Sequence, residues 1–207
     1  MSGHFVSFEG VEGVGKSTVI RHITHWLKEQ GVHVVKTREP GGTPLANKMR
    51  KLLLENTHEK LTIPAEVMLM FASRSQHVEN LIKPEIARGS WVISDRYVDS
   101  SYAYQSGGRG VPYEYIELLD KWICADVQPE RVILLDLPVA VSRSRIRNRA
   151  PDRIEKEKCA FFEQVREVFM TRAAQYPDRF RVVSADQPLS SVVDNVKKIL
   201  LELLSSV

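Results

Sequence analysis

Cysteine is scarce in this sequence: Cys124 and Cys159 are the only two, they stand 35 residues apart, and they fit no zinc spacing. That excludes a disulfide framework and a zinc site, and both read as reduced thiols. Long apolar runs are also missing, since stretches such as Trp91 to Ser94 and Val132 to Leu137 are strand-length rather than membrane-length. The opening MSGHFVSFEG has neither a basic n-region nor a cleavage site. The expectation is a soluble cytoplasmic protein with no membrane partner. No internal repeat or low-complexity linker divides the 207 residues, of which 43% are hydrophobic and 27% charged. One domain spanning 1–207, with a sizeable core, is therefore expected.

The net charge of +3 is not spread along the chain. Arg143, Arg145, Arg147, Arg149 and Arg153 face a single acid, Asp152, so eleven residues carry +4 and the remainder carries −1. A duplex binder spreads its cations along a face, whereas one concentrated segment suits a small polyanion. No nucleic-acid partner is expected.

Strand and helix patterns alternate. Short buried strands are expected at 4–9, 32–37, 90–95, 131–136 and 179–184, and helices at 16–30, 44–56, 65–88 with a bend near Pro84, 113–125, 139–148, 153–175 and 189–204. Such alternation predicts an α/β fold: a parallel sheet of about five strands covered by helices on both faces.

Gly10 to Ser17 reads G-x-x-x-x-G-K-S directly after the first strand and opens the first helix, the context of a phosphate-binding loop of the P-loop NTPase type. The nucleotide-binding segment is Gly10, Val11, Glu12, Gly13, Val14, Gly15, Lys16, Ser17 and Thr18. Backbone N–H groups and the positive helix end favour phosphate, Lys16 reaches the β and γ oxygens of ATP, and the Ser17 hydroxyl ligates Mg²⁺. The guanine string N-K-x-D and the switch string D-x-x-G are both absent, which argues against a GTPase. Small kinases and nucleotide-gated modules remain.

The strings FEGVEGVGKST, TREPGGT (37–43), SDRY (94–97), YAYQSGGRG (102–110) and DRIE (152–155), in this order, resemble bacterial thymidylate kinases over nearly the full length. The resemblance implies phosphorylation of dTMP to dTDP by ATP with Mg²⁺, in a homodimer. It implies that Glu12, an acid inside an anion-binding loop, accepts the 3′-hydroxyl of the deoxynucleotide. It places Asp95 at the metal, Arg96 on the acceptor phosphate, and Arg38 and Arg50 as further phosphate ligands. Arg74 is assigned to a thymine carbonyl, Ser101 to the base, Tyr104 to the sugar's 2′ carbon, and Gln105 to the neighbourhood of the same phosphate.

One position departs from the family pattern. The ring expected four residues before Arg74 is replaced by Met70, with Phe71 one residue later. Either Phe71 at i−3 stacks on the pyrimidine, or Met70 supplies a polarisable contact and Phe71 is core; the reading leans to Phe71. The arginine-rich segment, about 143–153, is expected to act as a lid over ATP. Within it Arg149 and Arg153 flank Pro151, which should break the helix; Arg149 is expected at the transferring phosphate, and Arg153 either there or held by Glu155 or Asp152 as a lid hinge. No cation stands between Gly10 and Gly15, so the transition-state cation must come from this lid.

Overall fold

A computed structural model describes residues 3–146 and 151–204. Its centre is a five-stranded sheet in the order β2-β3-β1-β4-β5, with every neighbouring pair parallel. The strands are β1 (Phe5–Glu9), β2 (Val34–Arg38), β3 (Trp91–Asp95), β4 (Arg131–Asp136) and β5 (Phe180–Ser184). The three central strands are almost continuously buried, while the edge strands β2 and β5 alternate buried with exposed positions. That difference follows from parallel topology, which covers both faces of a central strand and leaves an edge strand half wet.

On one face pack α1 (Lys16–Glu29) and α9 (Leu189–Leu204), joined by Val19, Ile23, Leu27, Val196 and Leu200, whereas α8 (Cys159–Gln175) packs on the other face against the segment 102–108. Burying each such side chain contributes about 1.5–3 kcal/mol. The opposite face is covered by α3 (Ile63–His77) and α6 (Tyr113–Cys124), through Val67, Phe71 and Ile116. Short helices α2 (Pro44–Leu54), α4 (Lys83–Ala87), α5 (Val98–Ser101) and α7 (Val139–Arg145) complete the chain order. Thr43 and Thr62 start α2 and α3 by accepting hydrogen bonds from the Ala46 and Ala65 amides, each with a proline in the first turn.

Three boundaries differ from the sequence expectation. The long helix expected at 65–88 is interrupted by a π-helical turn, Val78–Ile82, just before Pro84, whose ring nitrogen cannot donate to the preceding turn. The helix expected from Arg153 begins only at Cys159. Asp152 Oδ1 instead accepts hydrogen bonds from the Ile154 and Glu155 amides, both at 2.9 Å, which closes a turn. The glycine-rich stretch after Tyr102 is a π-helical segment, Tyr102–Gly108. Its glycines permit close approach to α8: a Cβ on Gly108 would strike the Phe161 ring, and one on Gly107 would strike Val168.

Both cysteines are free thiols, Cys124 buried and Cys159 exposed at the start of α8. Among the described residues no helix is long and apolar enough to cross a membrane.

Candidate functional site

The carboxyl ends of β1 and β3 lie side by side, Phe8 being in register with Asp95. Open parallel sheets present their ligand crevice at this edge. The loop leaving β1 runs from Gly10 to Gly15 and enters α1, with Gly15 at the N-cap in a left-handed conformation, φ 94°. Gly13 is left-handed as well, and a side chain there would collide with the Ser142 carbonyl of α7. Lys16 folds back across this loop and donates to the carbonyls of Gly10 at 2.8 Å and Val11 at 3.0 Å. Burial, aided by the Arg96 guanidinium, pushes its amine down to about 8. Ser17 Oγ donates to Asp95 Oδ2 at 3.1 Å. Two hard oxygen donors at the mouth of a phosphate loop suit Mg²⁺, which takes one or two protein ligands and leaves its other positions to phosphate and water.

Beyond β3 the chain turns sharply at Arg96, the only non-glycine residue with positive φ (75°) among those described. The turn throws the guanidinium back over the phosphate loop. Its Nη2 donates to Glu12 Oε1 at 2.8 Å and to the Tyr104 hydroxyl at 2.9 Å, and its Nη1 donates to Ser100 Oγ at 3.0 Å. The guanidinium also lies 4.8 Å from the centre of the Tyr104 ring. Burial raises the Tyr104 phenol well above its ordinary value, so the hydroxyl keeps its proton and donates to Glu12, 2.7 Å from Oε2. Glu12, Arg96 and Tyr104 thus form one closed unit between loop and sheet.

These groups line a cavity of about 470 Å³. Arg38 and Arg50 reach it from β2 and α2, and Arg50 also donates to the Pro40 carbonyl at 2.8 Å. Burial and the adjacent Arg38 hold the Arg50 guanidinium below its ordinary value. Arg38 and Arg96 both repel the Arg50 guanidinium, a condition that an anionic ligand among the three relieves. Met70, Leu54 and Pro40 supply an apolar wall.

The description Thymidylate kinase belongs to the family model that matches residues 8–196. The chain belongs to this family. It is 45% identical over 203 residues to the thymidylate kinase of Methylobacillus flagellatus, covering 98% of both chains. It is 47% identical over 193 residues to that of Pseudomonas entomophila, covering 93% of this chain and 92% of the relative. Among solved structures, the thymidylate kinase of Ehrlichia chaffeensis is similar with a TM-score of 0.82 at 30% identity, over 97% of this chain and 100% of that one.

Within the family's site, Glu12, Gly13, Gly15, Lys16, Ser17 and Thr18 of the expected nucleotide segment line the cavity, whereas Val11 and Val14 turn into the core. Arg38, Arg50, Asp95, Arg96, Tyr104 and Gln105 line it too.

Other residues expected at the substrate stand off the cavity wall. Phe71 is not at the cavity: it is buried against the sheet beneath the Arg74 guanidinium, which sits 4.6 Å from its ring, and Met70 faces the cavity in its place. Arg74 does not line the cavity either. Its Nε pairs with Glu39 Oε2 at 2.7 Å, and its Nη1 donates to Ser101 Oγ at 2.9 Å. Its Nη2 donates to the Tyr97 carbonyl at 3.3 Å. Ser101 is consequently buried behind the wall, whereas Ser100 lines it. Burial opposes ionisation of Glu39, yet Arg74 and His77 outweigh it and hold the carboxyl below its usual range.

Arg153 is held by an acid, as the hinge alternative has it, but the acid is Glu66 rather than Glu155 or Asp152. Its Nη2 pairs with Glu66 Oε2 at 2.8 Å and its Nε donates to the Leu53 carbonyl at 2.8 Å, so it ties the segment after Pro151 to α2 and α3. Glu66 Oε1 in turn accepts from Gln105 Nε2 at 2.9 Å. Arg149 lies outside the described residues. Arg145 of α7 does line the cavity, as do Asp152 and Glu155. Sequence reasoning named Arg145 only as part of the arginine-rich segment and missed Glu9, Glu39 and Glu66. An acid at the end of a buried strand, as at Glu9, is a signal that could have found one of them, since such acids are buried only with partners.

Proposed function

We propose that this protein transfers the γ-phosphoryl group of ATP to dTMP, releasing ADP and dTDP. The observation that carries the reading is the joining of donor and acceptor machinery in one cavity. The phosphate loop with Lys16 and Ser17 stands beside a cluster of Arg38, Arg50 and Arg96, which the loop's own Glu12 ties to Tyr104.

The acceptor is already a phosphate oxygen whose second ionisation lies near about 6, so no general base is needed. The task is to bring two anions together and to stabilise spreading charge, which cations do. In this reading Lys16 holds the β and γ oxygens, while Arg96, Arg38 and Arg50 hold the acceptor phosphate. Ser17 and Asp95 would hold Mg²⁺, whose contribution is to neutralise charge on the phosphoryl oxygens.

Glu12 accepts the 3′-hydroxyl, and Tyr104 crowds the place of a 2′-hydroxyl. Met70 supplies the apolar face against thymine, and Gln105 stands near the acceptor phosphate; Arg74 and Ser101 act from behind by fixing the wall. Arg149, with Arg145 in the cavity, supplies the lid cation. The chain works as a single domain, 1–207, with its lid at about 143–153, in the cytoplasm.

We further read the functional particle as a homodimer. The faces of α3 and α6 turned from the core expose Met68, Tyr115, Leu118 and Trp122, the last 80% accessible, and a second copy of this chain would cover them.

ADP formation tests the reaction in a coupled assay with dTMP, dUMP, dCMP, dGMP and thymidine as acceptors. Turnover dependent on dTMP supports it. Equal turnover with thymidine would show a hydroxyl acceptor, and ATP binding without turnover would show a sensor.

A further inference from the structure

Glu9 is the last residue of β1, fully buried, and absent from the cavity wall. A carboxyl in such a place costs several kcal/mol unless its oxygens are satisfied. Both oxygens are engaged, and both partners belong to the turn that carries Arg96. Oε1 accepts the Tyr97 amide at 2.7 Å, and Oε2 is 2.6 Å from Ser100 Oγ. Ser100 Oγ itself accepts from Arg96 Nη1.

Arg96 has left-handed φ, a conformation that costs a non-glycine residue about 1–3 kcal/mol and persists only where its surroundings hold it. The Tyr97 amide is the next donor along the chain, so its capture by Glu9 fixes the exit from that turn. Across the guanidinium, Glu12 and Tyr104 hold Nη2. Without the Ser100 branch, Nη1 would be free to rotate away from the acceptor position.

We infer that Glu9 is a positioning residue for Arg96, holding the turn through the Tyr97 amide and the guanidinium through the Ser100 hydroxyl. This rests on the reading of Arg96 as the acceptor-phosphate clamp. Glu9 makes no contact with substrate; its effect is confined to ligands that bear the phosphate Arg96 would meet. A residue needed only for folding would weaken every ligand alike.

The experiment measures dissociation constants of dTMP, thymidine and ATP by calorimetry for folded wild type, Glu9→Leu, Glu9→Asp, Glu9→Gln and Arg96→Ala. Glu9→Leu removes both bonds, and Glu9→Asp retracts the carboxyl from both partners. Each is expected to weaken dTMP by about tenfold, the worth of one or two hydrogen bonds to a charged network, while thymidine and ATP stay within about twofold. Glu9→Gln keeps the length and an oxygen for the Tyr97 amide, so it is expected to restore dTMP binding to within about threefold.

If Glu9→Leu fails to fold, Glu9→Asp decides alone. Undiminished dTMP binding in Glu9→Asp overturns the inference, as does parallel loss of dTMP and thymidine. Undiminished dTMP binding in Arg96→Ala overturns instead the clamp reading on which it rests.

Discussion

Arg153 and Glu66 are joined by an ion pair of 2.8 Å that fastens the segment after Pro151 to α3. The same carboxylate holds the side-chain amide of Gln105, a residue of the cavity wall. Arg153, which sequence alone offers either to the transferring phosphate or to a hinge, is therefore tied to α3, and the segment after Pro151 shares one buried acid with the cavity wall.

The two lid arginines should consequently fail in different ways. Arg153→Ala is expected to lower stability by about 1–3 kcal/mol, because Glu66 loses a partner, and to weaken ATP and dTMP together. Arg149→Ala should leave stability unchanged but lower kcat by more than about tenfold, since a donated arginine acts chiefly as charge develops. Denaturant unfolding, kcat and the ATP Kd for both variants check this. A large kcat effect in Arg153→Ala without loss of stability would return Arg153 to the chemistry.

Tyr104 has two separable parts. Tyr104→Phe removes only the hydroxyl that links Glu12 to Arg96, and its KM for dTMP should rise about tenfold with discrimination against the ribonucleotide intact. Tyr104→Ala also removes the ring, and the ratio of kcat/KM for dTMP over its ribonucleotide counterpart should fall. The two acceptors measured side by side decide it. A ratio unchanged in the alanine variant would confine Tyr104 to packing.

Burial, reinforced by Asp99, pushes the Glu9 carboxyl from 4.5 up to about 8. Between those values the folded state holds a proton that the unfolded state has released, so stability falls as pH rises through that window and levels off above it. Glu9→Gln carries no such proton. Its Tm should exceed that of the wild type by about 3 °C or more at pH 9, and the difference should shrink toward pH 4.5. Thermal unfolding across pH 4.5–9 tests this, and a constant offset would mean that Glu9 is not the group responsible.

Trp122→Lys places a charge at the centre of the exposed apolar face of α6, whose large side chains are each worth about 1.5–3 kcal/mol when covered. Sedimentation velocity should show the wild type as a dimer and the variant shifted to monomer. A dimeric variant would place the contact elsewhere.

The sheet and the phosphate loop were legible because their signals are local: apolar runs of strand length, and a glycine-lysine-serine spacing between strand and helix. Around the acceptor pocket the signals are not local. Arg74 finds its partner Glu39 on a loop 35 residues away, and that contact draws the guanidinium behind the wall. Met70 and Phe71 are adjacent on one helix, so which of them faces the cavity depends on how α3 is rotated against the sheet. The glycines after Tyr102 look like a loop in isolation, and only the approach of Phe161 and Val168 explains them within a π-helical turn.

The contrast between the two cysteines gives the molecule a built-in place for a reporter. Cys124 is sealed in the core, where burial pushes its thiol up to about 12 and leaves almost no thiolate to react. Cys159 is exposed where α8 begins, six residues after Arg153, which Glu66 ties to α3. A maleimide dye added to the unaltered protein should attach there alone, and its emission would report the surroundings of the segment after Pro151 as nucleotides are added, with no cysteine engineered in or out.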